Sequence, residues 1–165
     1  MRKMNQHSQL KPTKGFVIVA TVKEVYLQSA IFLAISIKDY YPDAHITLFT
    51  NERWQRKIPD GPFDRIHYGA PKHHRAKLWA LSRTPYDVTC YLDADMVCES
   101  EDIEYVFDKL PEDADIAMTN IRPYNSKISQ FVGGSMTLHC GMFVYRKTDK
   151  VINFMKEWWE LYQKQ

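Results

Sequence analysis

Val88-Thr89-Cys90-Tyr91-Leu92-Asp93-Ala94-Asp95-Met96 reads as an apolar strand that ends in two carboxylates one residue apart. The segments on either side of it decide what kind of sheet that strand belongs to. Upstream, Gly15 to Val22 is a short β-branched run without alternation, as expected of a strand covered on both faces. Ile46 to Thr50 reads as a second strand, and Arg65 to Tyr68 as a weaker third, reached through the turn-rich Pro59-Asp60-Gly61-Pro62. Downstream, Asp115 to Thr119 and Met142 to Tyr145 have strand character.

Helical patterns fill the intervals. Val22 to Tyr41 carries Val25, Ala30, Ile31, Ala34, Ile35 and Ile37 on one side, and Pro42 stops it. Arg75 to Ser82 is a shorter helix closed off by Pro85. Ser100 is placed to cap the next, with Glu101 and Asp102 at its positive end, a buried stripe of Ile103, Val106, Phe107 and Leu110, and Pro111 to end it. Thr148 or Asp149 caps a last helix bearing Val151, Phe154, Met155, Trp158 and Leu161. Strands alternating with helices predict right-handed crossovers and a Rossmann-like α/β fold, with a mostly parallel central sheet and helices on both faces. Ile121 to Leu138, with Pro123, Gly133 and Gly134, is the one long irregular stretch.

Composition agrees with a single domain. The chain has 165 residues, 45% of them apolar and 25% charged, which excludes disordered and fibrous classes. Its 22 basic and 20 acidic side chains are too balanced to imply a nucleic-acid tract. Cys90, Cys98 and Cys140 are an odd, unpaired-looking set, which predicts reduced thiols and a cytoplasmic setting. Met1 to Lys14 is polar and basic without the apolar core of a signal peptide, so residues 1–14 are expected to form a flexible basic arm and 15–165 the domain. The longest apolar-rich stretch, Ala30 to Ile37, is too short for the roughly 20 residues that span a bilayer.

The chemistry centres on Asp93 and Asp95. Open α/β sheets bind ligands at the carboxyl ends of their strands. Residues i and i+2 of a strand share a face, so both carboxylates can enter one cleft. Hard oxygen ligands there suit Mg²⁺ or Mn²⁺, which bridge diphosphate oxygens. Taken alone, the triplet also fits a pair of solvated carboxylates at a strand end. The first βα turn, Ala20-Thr21-Val22-Lys23-Glu24-Val25-Tyr26, lacks Gly-x-Gly-x-x-Gly, which argues against a dinucleotide oxidoreductase and against a P-loop. A nucleotide still fits that turn if Tyr26 offers a stacking face and Thr21 a hydroxyl. The plainer reading makes Tyr26 an ordinary half-buried helix residue. His73 and His74 are expected to be a solvated pair before their helix. Trp158 and Trp159 are expected to be one core and one partly exposed aromatic.

With these residues in place, the sequence resembles the GT-A nucleotide-sugar glycosyltransferases, in particular the glycogenin-like and lipopolysaccharide galactosyltransferase-like group. The resemblance runs from Gly15 to about Tyr162. It rests on Phe16 to Thr21 followed by Tyr26, Arg75-Ala76-Lys77-Leu78-Trp79-Ala80-Leu81, Tyr86 to Asp95, and Cys140-Gly141-Met142-Phe143-Val144-Tyr145. It implies a metal-dependent enzyme that moves a sugar from a nucleotide diphosphate, a UDP-sugar above all, to a sugar, lipid-linked or protein acceptor. Ala20, Thr21, Val22 and Tyr26 would surround the base. Asp93 would contact ribose and metal, with Asp95 the firmer ligand for Mn²⁺ or Mg²⁺. Arg75 or Lys77 would stabilise the departing diphosphate; as plain residues they are a solvated helix face. His139, Cys140 and Gly141 fall where the group has Asn-Ser-Gly or Asn-Ala-Gly against the donor sugar, and His139 departs from that pattern. The glycogenin-like character favours retention at the anomeric carbon.

The group also continues with an Asp-Gln segment and a later His that completes the metal shell, where this sequence ends at Tyr162-Gln163-Lys164-Gln165. His73, His74 and His139 are the candidate substitutes. Two other readings stand beside the enzyme. One is a non-catalytic GT-A-like module that serves in binding or assembly, in an oligomer or with a partner. The other is an aspartyl-phosphate phosphatase, with Asp93 as nucleophile and Asp95 as acid/base, although that strand normally opens such a domain.

Overall fold

The computed structural model describes residues 13–120 and 138–164. Residues 1–12, most of the expected arm, and 121–137, nearly all of the long irregular stretch, lie outside the described residues. The order of elements is β1 (Lys14–Val19), α1 (Glu24–Tyr40), β2 (Ile46–Phe49), a 3-10 helix (Glu52–Lys57), β3 (Arg65–His67), α2 (Ala76–Leu81) and β4 (Val88–Leu92), followed by a second 3-10 helix (Glu101–Lys109), β5 (Ile116–Asn120), β6 (Leu138–Arg146) and α3 (Asp149–Gln163). The six strands form one sheet in the order β3-β2-β1-β4-β6-β5. β3, β2, β1 and β4 are mutually parallel, and β6 runs antiparallel between β4 and β5.

This order follows from what each strand buries. Every residue of β2 and β4 is buried, so both must lie inside the sheet with cover on each face. From β1 the chain crosses outward to β2 and β3, then returns to the other side of β1 for β4. The strand order therefore reverses between β1 and β4, and the carboxyl ends of these two strands frame a crevice.

Two cores sandwich the sheet. On one face α1 packs Leu27, Leu33 and Ile37, and the second 3-10 helix packs Val106 and Phe107, against Phe16, Ile18 and Ile46 of the sheet. On the other, α2 and α3 pack Leu78, Leu81, Val151 and Met155 against Val17, Tyr91, Phe143 and Tyr145. Each fully buried side chain of this kind contributes roughly 1.5–3 kcal/mol. The caps behave as their residue types dictate: Ser100 accepts the Asp102 N–H at 3.1 Å, and Thr148 rather than Asp149 caps α3, accepting from Val151 at 3.3 Å.

Several expectations change. α1 buries Leu27, Ala30, Leu33, Ala34, Ser36 and Ile37, whereas Val25 and Ile35 face outward with Phe32. Ser36 belongs to the buried face because its hydroxyl is satisfied, donating to Leu33 O at 2.8 Å and accepting the Cys98 N–H at 3.0 Å. On α3, Phe154 and Leu161 are exposed, while Trp158 and Trp159 are both half-buried against the second core. The expected arm is already structured at its end. Lys14 pairs with Val88 in β1, and the Thr13 N–H and hydroxyl both donate to Asp87, at 2.8 and 2.9 Å. No helix among the described residues is long and apolar enough to cross a membrane.

Candidate active site

At the carboxyl ends of β1 and β4 lies a cleft of about 480 Å³. β1 and its turn supply Val19, Thr21 and Val22; α1 supplies Tyr26; β4 and its turn supply Tyr91, Asp93, Ala94 and Asp95. His74, Arg75, Ala76 and Lys77 close it from the start of α2, and Tyr162 reaches in from the last turn of α3. The cleft thus gathers seven of the residues expected from sequence: Thr21, Val22, Tyr26, Arg75, Lys77, Asp93 and Asp95.

The carboxylates do not sit on a shared strand face. β4 ends at Leu92, and Asp93 to Asp95 form a turn in which Met96 N–H donates to Asp93 O at 3.3 Å. The turn, not strand pleating, brings both side chains to the same cleft. Asp93 is half-buried and held on several sides. Its Oδ1 accepts the Tyr91 hydroxyl at 2.5 Å and the Lys77 ammonium at 2.9 Å, and its backbone N–H donates to Gly141 O at 2.7 Å. Burial, the two nearby carboxylates and the hydrogen bond to Asp93 push the Tyr91 hydroxyl well above its ordinary pKa, outweighing the opposing charge of Arg75. Tyr91 therefore stays a protonated donor at neutral pH. Asp95 is exposed to the cleft and makes no hydrogen bond or ion pair among the described residues.

Lys77 also donates to Cys140 O at 3.2 Å, and its ammonium lies 5.2 Å from the centre of the Tyr91 ring. One ammonium thus binds β4 and β6 together beneath the carboxylates. Arg75 is exposed, with its guanidinium carbon 5.9 Å from the centre of the Tyr162 ring. Two cations and two carboxylates line one cleft, so its charges nearly balance.

The remaining sequence candidates act differently or stand apart. Ala20 is buried below the cleft rather than on its wall, because β1 and β2 are tied there by Thr50 Oγ1 donating to Ala20 O at 2.6 Å. His139, Cys140 and Gly141 do not line the cleft; Cys140 and Gly141 support it from β6 through their backbone carbonyls, and the His139 carbonyl instead accepts from Thr119 of β5. The His139 ring folds onto Gly141, where a Cβ would lie 2.4 Å from it, so a larger residue there would have to displace that ring. His73 is half-buried rather than part of a solvated pair. Its ring packs edge-on against Trp159 and Tyr162, its Nδ1 accepts the Arg75 N–H at 3.0 Å, and its carbonyl accepts Thr21 Oγ1 at 2.9 Å. His74 is exposed on the wall, edge-on to Tyr26. Among the described residues no three His, Cys, Asp or Glu side chains converge as a metal cluster.

The donor chemistry nevertheless fits a hard divalent cation. Asp95 and the second oxygen of Asp93 offer carboxylate oxygens without other engagement among the described residues. Mg²⁺-like ions are commonly held by one or two carboxylates, with phosphate oxygens and water filling the other positions. Sequence reasoning missed Tyr91 and Tyr162. Tyr91 lies on β4 two residues before Asp93, within hydrogen-bonding reach of it, and Tyr162 continues the Val151–Met155–Trp158 stripe by one helical turn.

Known proteins share this architecture. The apo-form glycosyltransferase GlyE of Streptococcus pneumoniae TIGR4 aligns over 93% of this chain and 39% of its own, at 14% identity and a TM-score of 0.64. The galactosyltransferase LgtC, solved with donor and acceptor sugar analogues, aligns over 91% of this chain and 65% of its own, at 19% identity and a TM-score of 0.54. Glucosyl-3-phosphoglycerate synthase of Mycobacterium tuberculosis, solved with Mn²⁺, UDP and phosphoglyceric acid, aligns over 83% of this chain and 56% of its own, at 12% identity and a TM-score of 0.51. The chain therefore spans between about two fifths and two thirds of these proteins, and what they share with it at such identities is the GT-A fold. No curated protein sequence matches it. A family model described as glycosyl transferase family 2 matches residues 63–162, well over half of the chain and the segment from the approach to β3 through Asp93, Asp95 and α3. With its fold, its strand order and that match in agreement, the chain belongs to glycosyl transferase family 2.

Proposed function

We propose that the cleft binds a nucleotide-diphosphate sugar, a UDP-sugar, with Mn²⁺ or Mg²⁺, and that the protein transfers the sugar to an acceptor. The observation that carries this reading is the meeting of Asp93, Asp95, Arg75 and Lys77 in one cleft at the strand-order reversal. Tyr26 and Val22 bound the end that suits a planar base, and the carboxylates and cations bound the end that suits a diphosphate. A Mn²⁺ and UDP complex of a protein with this fold supports the same assignment.

In this reading Asp95 and the outward oxygen of Asp93 hold the cation. When bound, that cation neutralises the diphosphate as it leaves. Arg75, exposed at the mouth, is free to swing onto diphosphate oxygens. Lys77, held by Asp93 and Cys140 O, is a fixed positive charge below them. Lys77, already fixed, needs little reorganisation as negative charge develops on the leaving group. Tyr162 completes the wall of the cleft from α3. The functional domain is residues 15–165 together with Thr13 and Lys14, which are tied to it through Asp87 and Val88.

The direct test is release of UDP from a panel of UDP-sugars with Mn²⁺ present. The wild-type protein should turn over at least one donor, by transfer or slow hydrolysis, and Asp95→Asn should abolish that turnover. Donor binding without turnover under any condition would favour the non-catalytic module instead.

A further inference from the structure

At the base-side end of the cleft the backbone adopts a conformation its residue disfavours. Val22 has φ of 63°, in the left-handed region, where a β-branched side chain crowds the neighbouring backbone. The Lys23 N–H donates to Thr21 O at 2.6 Å, closing a three-residue turn about Val22. The positive-φ form of such a turn is rare and strained, and it persists only where its surroundings hold it.

Two contacts do so. Thr21 Oγ1 donates to His73 O at 2.9 Å behind the turn. In front, Nη2 of Arg53 donates to Val22 O at 2.5 Å. Arg53 belongs to the 3-10 helix Glu52–Lys57 and lies over the ring of the buried Trp54, 4.1 Å from its centre. From the same helix, Lys57 pairs with Glu24 at 2.6 Å. The helix therefore grips the β1–α1 corner at Val22 and at Glu24, just ahead of Tyr26.

We propose that Arg53 is a positioning residue for the nucleotide: its guanidinium holds Val22 in the strained turn that builds the base-side wall of the cleft. The nucleotide part rests on the proposed function above; the holding of the turn does not. Without the guanidinium, the Val22 carbonyl loses its charged donor and the turn relaxes toward ordinary φ, moving Thr21 and Val22 on the wall. Glycine adopts positive φ freely, so a glycine at this position makes the strap dispensable.

The test uses four proteins: wild type, Arg53→Met, Val22→Gly and the double variant. Exchange of the Lys23 amide, followed by NMR without ligand, reports whether the turn is closed. Arg53→Met should speed that exchange about ten-fold, the size of a lost charge-assisted hydrogen bond, but less than about three-fold when Val22→Gly is already present. No change, or the same factor in both backgrounds, overturns the strap. UDP titrated into the same proteins should show the same pattern in Kd. If wild type binds UDP and Arg53→Met binds it equally well, the positioning role is overturned even if exchange changes. If exchange follows the prediction while wild type binds no UDP, the strap stands and the nucleotide reading falls.

Discussion

Lys77 Nζ lies 2.9 Å from Asp93 Oδ1, so one of the two cleft carboxylates already carries a counter-charge. The pair is only partly exposed, with 16% of the lysine side chain and 33% of the aspartate open to solvent. A bare Mn²⁺ entering the cleft must compete with that ammonium. A diphosphate entering with the cation restores the balance. Removing the ammonium should separate these two effects. In Lys77→Met, affinity for Mn²⁺ alone is expected to rise about five-fold, the scale of a ~1 kcal/mol charge interaction. Affinity for UDP with Mn²⁺ should fall about ten-fold, as one charged contact is lost. Titration of Mn²⁺ by electron paramagnetic resonance, with and without UDP, measures both.

Tyr91 donates to the same oxygen that Lys77 holds, which leaves the other oxygen of Asp93 without a hydrogen bond among the described residues. Tyr91→Phe keeps the buried ring and removes only the donor. It should lower stability by about 1 kcal/mol and weaken Mn²⁺-dependent UDP binding by about ten-fold, the usual effect of losing the partner of a metal ligand. UDP binding without metal should hardly change. Parallel calorimetric titrations of the variant and wild type separate the two components.

Gly15 in β1 packs beneath Tyr86, where an added Cβ would lie 2.3–2.5 Å from the ring. That ring is fixed, because the Tyr86 hydroxyl is hydrogen-bonded to Thr47 at 2.8 Å in the core. Gly15→Ala should therefore lower stability by about 1–3 kcal/mol, as overpacking does, visible as a reduced urea midpoint.

Asp64 joins α1 to β2. It accepts the Ile46 N–H at 2.9 Å and pairs with Lys38 at 3.0 Å. Burial pushes its pKa upward, but the Ile46 amide and Lys38 outweigh it and hold the carboxyl below the usual carboxylate value. A carboxyl depressed in the folded state binds fewer protons than in the unfolded one, so its contribution is present above the ordinary carboxylate pKa and is lost as pH falls through the lower folded value. Thermal melts from pH 6 down to pH 2.5 should show this loss in wild type and a shallower acid slope in Asp64→Asn.

Much of this fold is legible in the sequence where a segment is both apolar and short. β4 runs from Val88 to Leu92 as its residues predict, since all five are buried and neither end has an alternative. β6 is legible only in its second half. Its first residues lack an apolar run: Leu138 and His139 are held by pairing with β5 across an irregular register near Met118 and Thr119, and Gly141 O accepts the Asp93 N–H just past the end of β4. The 3-10 helix Glu52–Lys57 is opaque because Trp54 is its one buried residue. At the site, Asp93 and Asp95 are legible as a spacing and Arg75 and Lys77 as neighbours on a helix. Tyr162 is legible only as a continuation of the buried stripe of α3, because its reach into the cleft depends on how α3 packs against α2.

Calorimetric titration of UDP into the protein, with and without Mn²⁺ and repeated on Asp95→Ala, tests the central claim most directly. The account predicts UDP binding that Mn²⁺ strengthens at least about ten-fold, and loss of that increment in Asp95→Ala, because Asp95 is the cleft carboxylate without an internal partner among the described residues. UDP binding of equal strength in all four titrations, or none in any, would contradict it.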